Sequence, residues 1–579
     1  MPTNSTSTKG HLGRCIDQAL GRVAADIVIT NSRFLDVING DLIEGDIAIC
    51  GDRIVGTCES YTGVNTIDGT GLTVVPGFID THVHCESSLV TPLEFDRCVL
   101  PRGTTTAICD PHEIANVLGS AGIEYFLRCA EQTCMDLRVQ LSSCVPATHL
   151  ETAGADLQAD DLVALRDHPS VIGLAEFMNY PGLLAKDPQV LAKLEAFQGW
   201  HIDGHAPMVR GRDLNAYLAC GICTCHETTS AAEAQEKLRK GMHVLIREGT
   251  VSKDLSALAP LLNAKTSNAM GFCTDDRNPL DIAEEGHVDY LIRSAIGLGI
   301  DPGDAYRAAT WSAARAFGLR DRGLVAPGKR ADLVLLSDYE SCRVHSVISA
   351  GRHVTAELFQ QRQPVAPVGL NSIKRPAIKT DDLAISCQQP TNNSVSVIGV
   401  KPGRIITDHL KLPVPVQNGF YVANSEEDLL KICVLERHGR NGSIGRGFVK
   451  GFGLKHGALA SSVGHDSHNL CVLGDNDADM TLAINHLIDI GGGFAIAVDG
   501  KIQTSLALPL AGLMSLDNYE SVQEQLLTLR NCVQNLGCHL PEPFLQLAFL
   551  PLPVIPHLKI TDQGLVDVDQ FSIIPLASA

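Results

Sequence analysis

The feature that most constrains this chain is a rhythm between residues 77 and 318, where eight short apolar runs, each ending in polar or titratable residues, alternate with longer segments. The runs are GFIDTHVH (77–84), TTTAICD (104–110), RVQLSSCVPA (138–147), SVIGLAE (170–176), HIDGHA (201–206), GICTCHE (221–227), HVLIRE (243–248) and MGFCTDD (270–276). Stretches between them, such as AAEAQEKLRKG, carry helical periodicity. Eight such units are what a closed (β/α)8 TIM-like barrel requires, and that fold keeps its chemistry at the C-terminal ends of its strands. Before the barrel, ADIVITNSRFLDV, GDIAICGDRIVGT and GLTVVPG read as short strands separated by turn residues. After it, GLVAPGKRADLVLLSD and VHSVISAGRHV read the same way. The expected organisation is therefore an N-terminal extension (1–25), a small composite β-sandwich domain (26–76 with 319–360), the inserted barrel (77–318), a linker (361–380) and a C-terminal mixed α/β domain (381–579) that closes over the active site.

The sequence has 579 residues, and its 46 Lys and Arg against 66 Asp and Glu give a formal charge of −20. Such a surface opposes binding to nucleic acid or to anionic membrane, leaving a small neutral or cationic substrate as the better fit. Neither a signal-peptide core nor a long uninterrupted apolar run is legible, since the longest candidate, LQLAFLPLPVIP, is broken by prolines. The 19 Cys lack the dense spacing of a secreted disulfide scaffold and read mostly as small core residues. A soluble protein of the cytoplasm is expected.

The first run ends Asp80-Thr-His82-Val-His84. Residues two apart on a strand share a face, which sets the two imidazoles about 7 Å apart along the backbone and lets both reach one divalent cation. Alone, the pair reads equally as two partly buried, hydrogen-bonded histidines. Glu176, His205, His226 and Asp275 change the balance, because they end the fourth, fifth, sixth and eighth runs in turn. Imidazole with carboxylate suits Zn, Fe or Mn, and a bridging carboxylate suggests two ions.

Other residues fall near the mouth by position. Asp110 and Glu113 follow the second run, and Arg247-Glu248 end the seventh. They read either as polar contacts for a substrate or as a capping turn and an ordinary Arg–Glu pair. The segment Ser461-Ser-Val-Gly-His465-Asp466-Ser-His468 is dense in metal-capable side chains. It reads as a lid that completes the pocket, as an accessory metal site, or as a polar turn. The glycine-rich GRNGSIGRGFVKGFG lacks the phosphate-loop pattern and is expected to form hairpins.

PGFIDTHVH, the later His, His and Asp strand ends, and the closing GLVAPGKRADLVLL resemble the amidohydrolase superfamily over residues 26 to about 355. Many binuclear members place a carbamylated Lys on the fourth strand; this chain has Glu176 in GLAEFMNYPG. That departure, with HCESS, CDPHEIANVLG, DGHAP, CHETT, LIREGT, CTDDR and the C-terminal GRGFVKGFGLKHGALASSVGHDSHNLCVLG, is similar to the adenine deaminase family across nearly the whole chain. The resemblance implies hydrolytic deamination of adenine to hypoxanthine and ammonia, in purine salvage, by a homodimer. It assigns His82, His84 and Asp275 to one ion and His205 and His226 to the other, with Glu176 bridging. The two divalent ions are expected to be Mn2+ or Fe2+, with Zn2+ possible. Asp275 would take the proton of the attacking hydroxide, and Glu176, Glu248 or Glu113 would return protons to the ring and the leaving amine. Asp110, Glu113, Arg247, Ser461, His465 and Asp466 are the candidate substrate contacts. Against this stand another cyclic amide or amidine hydrolase of the superfamily and an inactive scaffold, whose mark would be missing ligands.

Overall fold

The computed structural model of the chain describes residues 8–387 and 394–577. Its centre is a ring of eight parallel strands: β1 (Phe78–Val83), β2 (Thr104–Cys109), β3 (Asp136–Leu141), β4 (Val171–Phe177), β5 (His201–Gly204), β6 (Thr224–Cys225), β7 (His243–Arg247) and β8 (Met270–Cys273). β1 to β5 pair in chain order, as do β6 to β8. The ring closes where Asp275 N–H donates to His82 C=O at 3.0 Å and His84 N–H to Asp275 C=O at 3.2 Å. On the other side, Cys223 N–H donates to Ile202 C=O at 3.1 Å. β1 and β2 are buried at every position although half of each is polar, and their buried polar groups are paired, as where the Thr81 hydroxyl donates to the Phe272 carbonyl at 2.7 Å and the Thr274 hydroxyl to Asp80 at 2.5 Å.

Several strands stop short of the apolar runs that announced them. β5 ends at Gly204 and β6 spans only Thr224–Cys225, so His205 and His226 lie just past the ladder, where their side chains turn into the mouth. A Cβ on Gly204 would stand 2.5 Å from Thr224 O; the close approach of these two strand ends requires glycine there.

Two sheets flank the barrel's entry and exit. In the larger, Leu333–Asp338 runs antiparallel to Thr73–Pro76, with Leu333 opposite Pro76, so the chain leaving the barrel returns beside the strand that led into it. The smaller sheet orders Arg53–Thr57, Ile47–Cys50, Ala25–Thr30 and Gly63–Asp68. Ile29, Ile47, Ile49, Val74, Leu333 and Leu335 fill the space between the sheets. Residues Thr8–Ala19, within the expected extension, form a helix whose Cys15 and Ala19 pack on the smaller sheet.

The C-terminal segment builds an eight-stranded sheet covered by the helix Asp477–Ile490. As expected, its glycine-rich stretch is a hairpin, Leu429–Leu435 antiparallel to Ile444–Lys450. Among the described residues no helix is long and apolar enough to cross a membrane, and all 19 cysteines are free.

Candidate metal centre

The strand alternation that points His82 and His84 to one side also fixes their rings from behind. His82 Nδ1 faces Asp203 Oδ2 at 3.1 Å, and His84 Nδ1 faces the Asp110 carbonyl at 3.0 Å. Both acceptors lack protons, so each imidazole carries its proton on Nδ1 and turns the Nε2 lone pair inward. The two Nε2 atoms stand 3.1 Å apart. Two lone pairs at that distance repel unless a cation sits between them.

Glu176, at the end of β4, faces this pair with one oxygen and a second pair with the other. Its Oε1 lies 3.4 Å from His84 Nε2 and 3.7 Å from His82 Nε2. Its Oε2 lies 2.5 Å from His205 Nδ1 and 3.3 Å from His226 Nε2. Asp275 Oδ1 joins the first set, 3.1 Å from His84 Nε2 and 3.7 Å from His82 Nε2. All six residues expected as ligands thus converge, and all but His205 are buried. Burial alone would raise both carboxylates. The imidazoles around Glu176, and His84 with the Arg247 charge beside Asp275, instead hold both well below the usual carboxylate range. Imidazole nitrogen with carboxylate oxygen is a donor set for divalent cations, and these residues fit one.

The proposed substrate contacts divide. The cleft above the cluster is lined by His112, His205, His226, Glu227, Arg247, Asp275, Asp276, His465 and Asp466 on its polar side. Met178, Ile405, Phe549, Leu552 and Ile555 form its apolar side. Of the six expected contacts, Arg247, His465 and Asp466 lie on this wall. Arg247 does not pair with Glu248. It grips both oxygens of Glu227, meets Asp254 at 3.1 Å and reaches Asp275 Oδ2 at 3.1 Å, which leaves it braced by carboxylates rather than free for a ligand.

Glu248, Asp110 and Ser461 are off the wall. Strand alternation turns Glu248 away from Arg247, and its carboxylate accepts the Leu255 amide at 3.0 Å. Asp110 is held by His112 Nδ1 at 3.1 Å and Ser142 Oγ at 2.8 Å, and it does not cap the following helix, whose N-cap is Pro111. Ser461 closes a turn on Val463, accepting its amide at 2.9 Å and donating to its carbonyl at 2.7 Å. Glu113 sits one layer back, where Ser87 Oγ lies 3.1 Å from its Oε1 and 2.5 Å from Asp276 Oδ1. Burial pushes the Glu113 carboxyl up to about 7.

Sequence reasoning missed four participants. Asp203 orients His82; Glu227 anchors Arg247; Asp276 lines the cleft; and His112 stands with Nδ1 3.3 Å from Glu176 Oε1 and Nε2 3.6 Å from Asp466 Oδ1. Asp203 and His112 were legible in HIDGHA and CDPHE, one by its two-residue spacing from His205, the other as a third imidazole next to a strand end. The apolar wall from Phe549, Leu552 and Ile555 carried no local signal.

The amidohydrolase family model matches residues 73–354, and that of the adenine deaminase C-terminal domain matches residues 404–572. "Adenine deaminase 1" of Rhizobium meliloti (strain 1021) is 61% identical over 563 residues, covering 97% of this chain and 99% of the relative. The chain belongs to the adenine deaminase family. "Adenine deaminase" of Gluconobacter oxydans (strain 621H) is likewise 61% identical over 562 residues, 97% of this chain and 99% of its own. Among solved structures, the crystal structure of an adenine deaminase aligns at 20% identity and TM-score 0.43, over 57% of this chain and 99% of that one. The family's members thus match both the barrel that bears the cluster and the C-terminal segment that supplies His465 and Asp466.

Proposed function

We propose that this chain is an adenine deaminase that converts adenine and water to hypoxanthine and ammonia, in purine salvage in the cytoplasm. The observation that carries the reading is one buried glutamate, Glu176, with a separate imidazole pair on each of its oxygens, in a chain 61% identical along its length to proteins bearing that name. We assign His82, His84 and Asp275 to one cation and His205 and His226 to a second, with Glu176 between them. Manganese or iron(II) is our choice for both. Cations bound there supply Lewis-acid charge that brings the pKa of water near neutrality.

The remaining work falls to side chains. Asp275, kept ionised by His84 and Arg247, takes the proton of the water that attacks carbon 6 of the ring. The proton needed for the ring nitrogen has a route from Glu113. Ser87 has one hydroxyl proton and two carboxylates within reach; with Glu113 protonated near neutrality, Glu113 donates to Ser87, Ser87 to Asp276 and Asp276 to the ring nitrogen, while Asp275 passes the water proton to the departing amine, which leaves as ammonia. General acid–base transfer is most effective from a group whose pKa lies near the working pH.

For substrate recognition we keep His465 and Asp466, add His112, and set aside Asp110, Ser461 and Glu248. His112 Nε2, His465 Nε2 and Asp466 Oδ2 are buried and have no hydrogen-bond partner. A buried polar atom left unpaired costs about 1–3 kcal/mol, a penalty that a purine edge relieves. The His465 ring stacks on Phe549 at 4.5 Å, and Leu552 and Ile555 extend that apolar shelf for a flat bicyclic ring. The test is ammonia release from adenine, adenosine, cytosine and guanine by protein produced with excess manganese. Turnover of adenine alone supports the reading. Inert adenine with another ring hydrolysed would refute the substrate while leaving the metal centre standing.

A further inference from the structure

Away from the barrel mouth, a second metal-capable group joins the N-terminal helix to the smaller sheet. His11 and Cys15 are four apart on the helix Thr8–Ala19 and so share one face. Cys50 ends the strand Ile47–Cys50 beneath them. His11 Nε2 lies 3.6 Å from Cys15 Sγ, and the ligand atoms of all three lie within 4.8 Å of one another. Donors around tetrahedral zinc stand about 3.5 Å apart, given Zn–S near 2.3 Å and Zn–N near 2.0 Å; only a small contraction separates the observed group from that geometry.

We propose that His11, Cys15 and Cys50 bind a thiophilic divalent cation, zinc by its chemistry, which pins the helix to the sheet. Two thiolates and an imidazole select zinc over manganese, the reverse of the carboxylate-rich cluster in the barrel. His11 and Cys15 are half-buried while Cys50 is buried, so the cation enters from solvent and water completes its shell. The neighbouring Asp26 does not compete as a ligand. Its carboxylate already accepts the Gly51 amide at 2.7 Å and Gln18 Nε2 at 2.8 Å, and it pairs with Arg14 at 3.5 Å. Leu12 and Ile16 of the helix are exposed, so a cation would add to the polar contacts that Arg14 and Gln18 already make with Asp26. Burial and the Cys15 thiol push Cys50 up to about 12. Zinc takes cysteine as the thiolate, so binding releases one proton to solvent from each sulfur it takes up.

Cobalt(II) added to the manganese-loaded enzyme is the probe, since cobalt bound to thiolate gives a near-ultraviolet charge-transfer band that imidazole and carboxylate ligands do not. The expected result is one such site per chain, abolished in Cys15→Ser and weakened at least tenfold in His11→Ala, with adenine turnover unchanged in both. His11 is partly exposed, so its loss leaves the fold intact. Absence of the band, its persistence in Cys15→Ser, or loss of two thiols to a Cys15–Cys50 disulfide in metal-free native protein would each overturn the proposal.

Discussion

Asp203→Asn removes one charge from behind the metal centre without changing its shape, and the surrounding donors dictate how the amide must turn. Asp203 Oδ1 accepts the Gly204 amide at 2.9 Å and the Thr224 hydroxyl, while Oδ2 faces His82 Nδ1 at 3.1 Å. The Gly204 N–H can only donate, so asparagine must keep its oxygen there and turn its NH2 toward His82. Donor then faces donor unless His82 moves its proton to Nε2, the nitrogen aimed at the cluster, which can no longer ligate. Losses of carboxylate partners behind ligating histidines weaken metal binding about 10- to 100-fold, or roughly 1.4–2.7 kcal/mol. The assay is manganese dependence of adenine turnover in a metal buffer. The half-saturating concentration should rise by that factor, with kcat largely recovered at saturation and the folded circular-dichroism spectrum retained. A variant with wild-type manganese dependence would refute the claim that Asp203 fixes the ligating tautomer.

His205→Ala and Asp275→Asn each remove a donor from the cluster and should abolish adenine turnover while leaving the fold intact; near-native activity in either would break the ligand assignment. Phe549→Ala and His465→Ala strip the shelf and one edge contact from the cleft; both should raise KM for adenine about tenfold or more, with metal content unchanged, and steady-state kinetics with metal analysis checks this. Lys559 is fully buried, donates to the carbonyls of the cleft-wall residues Ile405 and Phe549, and has a pKa lowered by burial to about 7. The unfolded chain, near its ordinary value of 10.5, binds the extra proton between those limits. The penalty is thus complete below about pH 7 and relieved as pH rises toward 10.5. Wild-type stability should gain about 1.4 kcal/mol per pH unit in that window relative to Lys559→Met, and parallel denaturation midpoints for the two proteins would contradict it.

The barrel and its six convergent donors were legible because both follow from short-range geometry. Side chains alternate along a strand, so a titratable residue at the end of an apolar run arrives at the mouth whatever else the chain does. The errors lie just past the strand ends, where that rule stops holding. In HVLIREGT the alternation that turns Arg247 inward turns Glu248 away, and in CDPHE it is His112, not Asp110, that reaches the cleft wall. The far wall was illegible for a different reason. Phe549, Leu552 and Ile555 belong to the same proline-broken apolar run, LQLAFLPLPVIP, that looks like core by composition. Only the packing of the C-terminal segment over the barrel makes it a cleft surface. His465 and Asp466 were noticed for their density of polar atoms, yet Ser461 in the same segment is spent on its own turn.

A manganese titration of the metal-free chain, with ammonia release from adenine and bound metal followed together, tests the bridged centre most directly. Activity should rise until two manganese ions are bound per chain and then stop, with Glu176→Gln failing to reach that activity at any concentration. Activity complete at one ion, or Glu176→Gln indistinguishable from wild type, would contradict a centre bridged by Glu176.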